Sequence, residues 1–163
     1  MDPASATVAF VGFAASLATV AAVVVDSSRT LHDVYKSVKN APREIQRMDQ
    51  KSKRLHKMIL EVQRMSEDLH DGEPPPFIHE FWLEHAGEIH HDFDVFKKKI
   101  ENLHAGISKN TSKRKHIIMR IQTFFSEREV RKYEEQLSEH MQTIGILLNM
   151  LSQYVCPIVI ASH

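Results

Sequence analysis

From Pro3 to Val25 the chain carries no charged residue, and beyond it apolar positions keep helical spacing almost to the C-terminus. Ile45, Met48, Leu55, Met58, Ile59, Val62, Met65 and Leu69 recur at threes and fours, one apolar stripe with charge on the other faces. Pro42 opens that helix. "HDGEPPP" at 70–76 closes it, because glycine suits a helix terminus and prolines forbid continuation. A helix from about 77 to 107 follows, with Ile89, Phe93, Phe96, Ile100, Leu103 and Ile107 in the rhythm of antiparallel bundle helices at small crossing angles. After the polar joint "SKNTSKRK" come Ile117, Ile118, Ile121, Phe124 and Phe125. Ser126 and Glu129 then predict a capping box and a fresh helix, whose stripe is Val130, Tyr133, Leu137, Met141, Ile144, Leu148, Leu151 and Val155. Pro157 is expected to stop it, leaving "CPIVIASH" as a β-prone tail without an assigned place. No alternating run outvotes a helix, and no Asn-Gly or Asp-Gly hairpin turn occurs.

The uncharged opening raises a choice of environment. With Asp2 as cap and Pro3 at the first helical position, residues 3–25 predict roughly 34 Å of helix, enough to cross a bilayer core. "DSS" at 26–28 is expected to interrupt it and cap a second short helix, "SRTLHDVYKSVKN", with Leu31, Val34, Tyr35 and Val38 inward. A secretion signal is disfavoured, since no Lys or Arg precedes the apolar stretch. A helix apolar all round either spans a membrane or is enclosed by protein. Ala14, Ala18 and Ala22 form a ridge of small residues that permits close helix contact in either setting. The expected architecture is all-α: a single domain over 1–163, a four- to five-helix bundle around the apolar N-terminal helix. That helix is core in one state and able to enter a membrane in another.

Composition narrows the chemistry. Hydrophobic residues make up 42% and charged residues 26%, a globular balance. The 21 Lys and Arg cancel the 21 Asp and Glu, which argues against a nucleic-acid partner held by the whole surface. One cysteine, Cys156, permits no internal disulfide and fits a reducing compartment. Eleven histidines invite a metal reading. "HEFWLEH" fails the zincin spacing because Leu83 stands where the second histidine belongs. Three Glu-x-x-His pairs, Glu67 with His70, Glu88 with His91 and Glu101 with His104, miss the inward phase that a bundle-core metal needs. Neither metal, cofactor nor catalytic constellation is expected. Lys97, Lys98 and Lys99, and the run Lys109, Lys113, Arg114, Lys115 and Arg120, either solvate a face or meet anionic headgroups.

Taken in order, "MDPASATVAFVGFAASLATVAAVVV" and "LHDVYKSVKNAPREIQRMDQKSKRLHKMI" resemble the N-terminal HeLo-like domains of fungal NOD-like receptors (STAND proteins). "RIQTFFSEREVRKYEEQLSEHMQTIGILLNML" is similar to that family's last helix. The resemblance implies a non-enzymatic helical bundle at the N-terminal side of a receptor or other module, in programmed cell death and heterokaryon incompatibility. Such a domain would rest in the cytoplasm, oligomerise on activation, expose its N-terminal helix and permeabilise the plasma membrane. Val8, Phe10, Val11, Phe13, Leu17, Val20, Val23 and Val24 would then insert, and Lys113, Arg114 and Lys115 would contact lipid headgroups. Its partners would be anionic lipids, further copies of itself and an upstream or downstream module, with no nucleic acid. The rival expectation is a homotypic adaptor domain that never enters lipid.

Overall fold

The computed structural model describes residues 12–38, 41–69, 73–108, 119, 121–122 and 125–161, with 108 and 156–161 described by backbone alone. Four long helices make up the fold: α1 (Phe13–Ser37), α2 (Arg43–Glu67), α3 (Pro76–Ser108) and α4 (Glu127–Ala161). No strand occurs among the described residues. The domain is an all-α four-helix bundle.

Helix starts follow the sequence chemistry. α3 begins on Pro76, where a missing N–H costs nothing, and the Pro75 carbonyl accepts the N–H groups of Ile78 and His79. The capping box at α4 is complete: the Ser126 N–H donates to Glu129 Oε2 at 3.0 Å, and the Glu129 N–H donates back to Ser126 Oγ at 3.3 Å. Lys99 reaches across from α3 to the same carboxylate. That ion pair, with the Ser126 N–H next in weight, pulls the Glu129 carboxyl down to about 2.

The order of helices around the bundle differs from a simple antiparallel ring. α1 packs on α2 and α3, and α4 also packs on α2 and α3, while α2 and α3 make little contact with each other. Side-chain pairings give the directions. Ser16 with Trp82 and Ser27 with Phe93 both join residues 66 apart, so α1 and α3 run parallel. Lys51 with Ser138 joins residues 87 apart, as does Arg47 with Glu134 (134 − 47 = 87), so α2 and α4 are parallel too. His32 with Asp49 makes α1 and α2 antiparallel, and Asp92 with His140 and Lys99 with Glu129 do the same for α3 and α4. Consecutive helices α2 and α3 therefore stand on a diagonal of the bundle.

Three expectations about helix ends are corrected. α1 begins at Phe13, not Pro3, because Gly12 adopts φ 78 and ψ 156. That region belongs almost solely to glycine. The Asp2 cap and Pro3 lie outside the described residues. "DSS" does not interrupt α1. Ser27 Oγ donates to the Val23 carbonyl one turn back, and Ser27 and Ser28 are buried, so the serines satisfy themselves inside the helix. Pro157 does not stop α4, whose backbone is helical to Ala161; near the end of the helix the lost hydrogen bond and the clash of the ring with the carbonyl one turn back affect only the last turns.

The core follows the stripes closely. Ile45, Met48, Leu55, Ile59 and Val62 on α2, Leu69 just beyond it, and Ile89, Phe93, Phe96, Ile100, Leu103 and Ile107 on α3 are buried. Ile78, Trp82 and Ala86 extend the α3 stripe towards its start. On α4 Leu147 takes the fully buried place, and Leu148 is half-buried. α1 sits at a corner of the bundle, with two helix neighbours and one face open.

Leu55 is fully buried and Leu60 is 45% exposed on the same helix. Leu55→Ala is expected to lower stability by about 2–5 kcal/mol and Leu60→Ala by less than about 0.5 kcal/mol, as read by urea unfolding. For Glu129 the depressed pKa means stabilisation present above pH 4.5 and lost as pH falls towards about 2. Carboxyl-resolved NMR titration should find that low value in the native protein and an upward shift in Lys99→Gln.

Candidate functional site

α1 carries the site because its two faces differ in kind. Phe13, Ser16, Leu17, Val20, Ala21, Val23 and Val24 face the bundle and are buried. Ala14, Ala15, Ala18, Thr19 and Ala22 are exposed. Thr19 quiets its own hydroxyl by donating to the Ala15 carbonyl at 3.0 Å. From Phe13 to Val25 the helix thus presents no charge on any face over roughly 20 Å. Among the described helices, α1 alone is long and apolar enough to cross a membrane, and half of that window, 50%, is buried. Any such window within α1 includes Asp26 and Arg29.

The seam with α3 holds this helix in place. Trp82, fully buried, donates its indole N–H to Ser16 Oγ at 2.7 Å, and Ser16 in turn donates to the Phe13 carbonyl at 2.9 Å. Phe13 stands edge-on to Trp82, with centroids 6.3 Å apart, and edge-on to His79 at 6.2 Å. Immediately after the uncharged stretch, Asp26 pairs with Lys97 at 3.3 Å. Ser27 Oγ also approaches the Phe93 carbonyl at 3.4 Å. A buried indole N–H without an acceptor costs about 1–3 kcal/mol, so the Ser16 contact fixes the register of α1 on α3.

Two partly buried His–Asp couples tie the antiparallel pairs. His32 Nδ1 lies 3.2 Å from Asp49, which Lys53 also engages at 3.0 Å. His140 Nε2 lies 2.9 Å from Asp92 and beside the Phe93 ring. Tyr133 closes a crevice over that couple with room for about one water. Burial, then the charges of Glu129 and Asp92, pushes its phenol above the usual value.

Of the residues expected to insert in lipid, Phe13, Leu17, Val20, Val23 and Val24 are brought together on the buried face of α1. Val8, Phe10 and Val11 lie outside the described residues, as do Lys113, Arg114 and Lys115. Lys97, Lys98 and Lys99 are each engaged by carboxylates: Asp26 and Glu101, Asp94, and Glu129 respectively. Glu67, Glu88, His91 and Glu101 are exposed and His104 is half-buried, while His70 lies outside the described residues. Among the described residues no three His, Cys, Asp or Glu side chains converge as a metal site would need. Ser16 reads in the sequence only as one of the small residues of the opening helix, and Trp82, Asp49 and His140 stand in no motif. Continuing the α3 rhythm back from Ile89 would have reached Trp82, and the gap between Met48 and Leu55 marked a turn where Asp49 and Ser52 face inward.

Compared with protein-family models, with curated proteins and with solved structures, the chain matches none.

Ser16→Ala is expected to cost about 1–3 kcal/mol of stability. In a Trp82→Phe background that cost should largely vanish, so a double-mutant cycle by urea unfolding reads the coupling. Gly12→Ala, forced into φ 78, should cost a further 1–3 kcal/mol, roughly the strain of that region.

Proposed function

We propose that this chain is a non-enzymatic, HeLo-like signalling module that targets membranes in a cell-death response, acting by oligomerisation and release of α1. The observation that carries the reading is α1 itself: an uncharged helical stretch, half-buried, tied to its neighbours at Ser16 by the Trp82 indole and, beyond that stretch, at Asp26, Ser27 and His32. Those polar contacts are few, and the apolar face they hide matches a bilayer as well as it matches α3. In the resting cytoplasmic form the bundle surrounds that face on two sides. On activation Phe13, Leu17, Val20, Val23 and Val24 turn to lipid, together with Val8, Phe10 and Val11. Lys113, Arg114 and Lys115 supply headgroup contacts, and the partners are anionic lipids, further copies and a receptor or effector module. A spanning helix needs about 20 uncharged residues, and Gly12 at φ 78 closes the described helix at Phe13. The inserting form therefore requires Gly12 to take helical angles.

A second reading rests on the exposed ridge of Ala14, Ala15, Ala18 and Ala22, which lets another copy approach closely without lipid. The two readings differ in one assay. The intact protein, free and as cross-linked oligomers, should release dye from phosphatidylserine-containing liposomes, and a chain lacking residues 1–25 should not. Trp82, the one tryptophan, should shift its emission to the red when α1 leaves. Oligomers that neither bind nor leak the vesicles would sink the membrane reading and leave the adaptor.

A further inference from the structure

Two unneutralised ridges of opposite sign stand at opposite corners of the bundle. On α2, Arg43, Arg47, Arg54 and Lys57 are exposed within roughly 80° of one another, along about 21 Å of helix. Residues 43–57 hold six Lys and Arg against two acids, Glu44 and Asp49. Asp49 is engaged by His32 and Lys53, and Glu44 faces the cleft with Ile121, Phe125 and Val130. Arg47 pairs with Glu134, while Arg43, Arg54 and Lys57 make no ion pair among the described residues.

On α3, Glu80, Glu84 and Glu88 recur at every fourth position and are all exposed, within roughly 80° along about 12 Å. They too make no ion pair among the described residues. Residues 76–91 contain no Lys or Arg. The flanking helices do not answer the charge either. Ser16 is level with Trp82, and counting on from Asp92 with His140 puts residue 148 level with Glu84. There α1 from 13 to 25 and α4 from 142 to 155 carry no charged residue.

Geometry decides how the ridges can meet. α2 and α3 lie on a diagonal, so outward side chains on one point away from those on the other. His32 places Asp49 level with residue 98 of α3 (32 + 66 = 98), which sets the α2 ridge beside residues 90–104. The acid ridge lies further along, about 20 Å from centre to centre. Patches on opposite faces do not meet in a two-fold pair. One copy's α2 on the next copy's α3 leaves a free ridge at each end, a heterologous contact that adds further copies.

We propose that the chain assembles head to tail, the α2 cations of one copy lying along Glu80, Glu84 and Glu88 of the next. An acid ridge one helix wide can follow the α2 line, whereas a flat anionic sheet would also meet Glu135 and Glu139 of α4. Leu60 and Leu83, exposed beside the two ridges, give the contact an apolar margin. The proposal rests on the self-association in the reading above and not on release of α1.

Sedimentation of the full chain over a concentration series, at low and high salt, tests it. Wild type should grow past a dimer at low salt and fall back at high salt, and E84Q should weaken association by roughly 1.5- to 5-fold. E80K/E84K/E88K and R43E/R54E/K57E should each stay monomeric, with unchanged urea midpoints. Their equimolar mixture should assemble again, because every contact then joins opposite signs. A mixture that stays monomeric, or single variants that assemble like wild type, would overturn the pairing. Assembly kept by both variants and lost in Ala18→Glu would overturn it in favour of the alanine face. Wild type that stays monomeric yet releases liposome dye would overturn the ridges and leave the membrane reading standing. Salt-sensitive assembly without dye release would uphold the ridges and sink that reading.

Discussion

The α1–α3 seam is the contact on which the other features turn. Trp82 is the largest fully buried side chain, and its indole N–H has to find an acceptor in an apolar interior. Ser16 supplies it as a neutral hydroxyl within the uncharged run. Because the indole reaches one hydroxyl on α1, the bond sets how far α1 slides along α3. Once that register is fixed, Ser27 meets the Phe93 carbonyl and Asp26 meets Lys97 on the same parallel pair.

Parallel neighbours give the bundle an unusual division of labour. The antiparallel pairs, α1 with α2 and α3 with α4, are each pinned by a His–Asp couple. The parallel pairs are pinned differently, α1 to α3 through the buried indole and α2 to α4 through the surface contacts of Arg47 and Lys51. Exposed ion pairs contribute little, so α2 and α4 depend mainly on their apolar stripes. α1 packs on α2 and α3 through Phe13, Leu17, Val20, Val24, Leu31 and Val34, while its alanines at 14, 15, 18 and 22 meet solvent.

Charge is distributed unevenly over the four helices. α3 and the start of α4 neutralise the lysines at 97–99 locally, whereas α2 turns its arginines outward. A chain of zero net charge can thus still present one basic face, because neutrality of the total says nothing about placement.

The helical stripes, the break at the prolines of 74–76 and the Ser126–Glu129 cap were legible in the sequence, since each depends on residues within a few turns of one another. Periodicity likewise put Phe93, Phe96, Ile100 and Leu103 inside. Three things needed the tertiary structure. Gly12 is permitted by its sequence to be helical or to take a positive φ, and only its surroundings choose φ 78. Ser27 and Ser28 read as a helix break because serine competes for backbone bonds, yet the buried seam with α3 makes a continuous helix the better arrangement. The parallel order of α1 with α3 and α2 with α4 follows from α2 and α3 standing diagonally rather than side by side. Apolar stripes specify which face is buried and leave open which helix covers it; the pairing is decided by contacts such as Ser16 with Trp82 that join positions far apart in the chain.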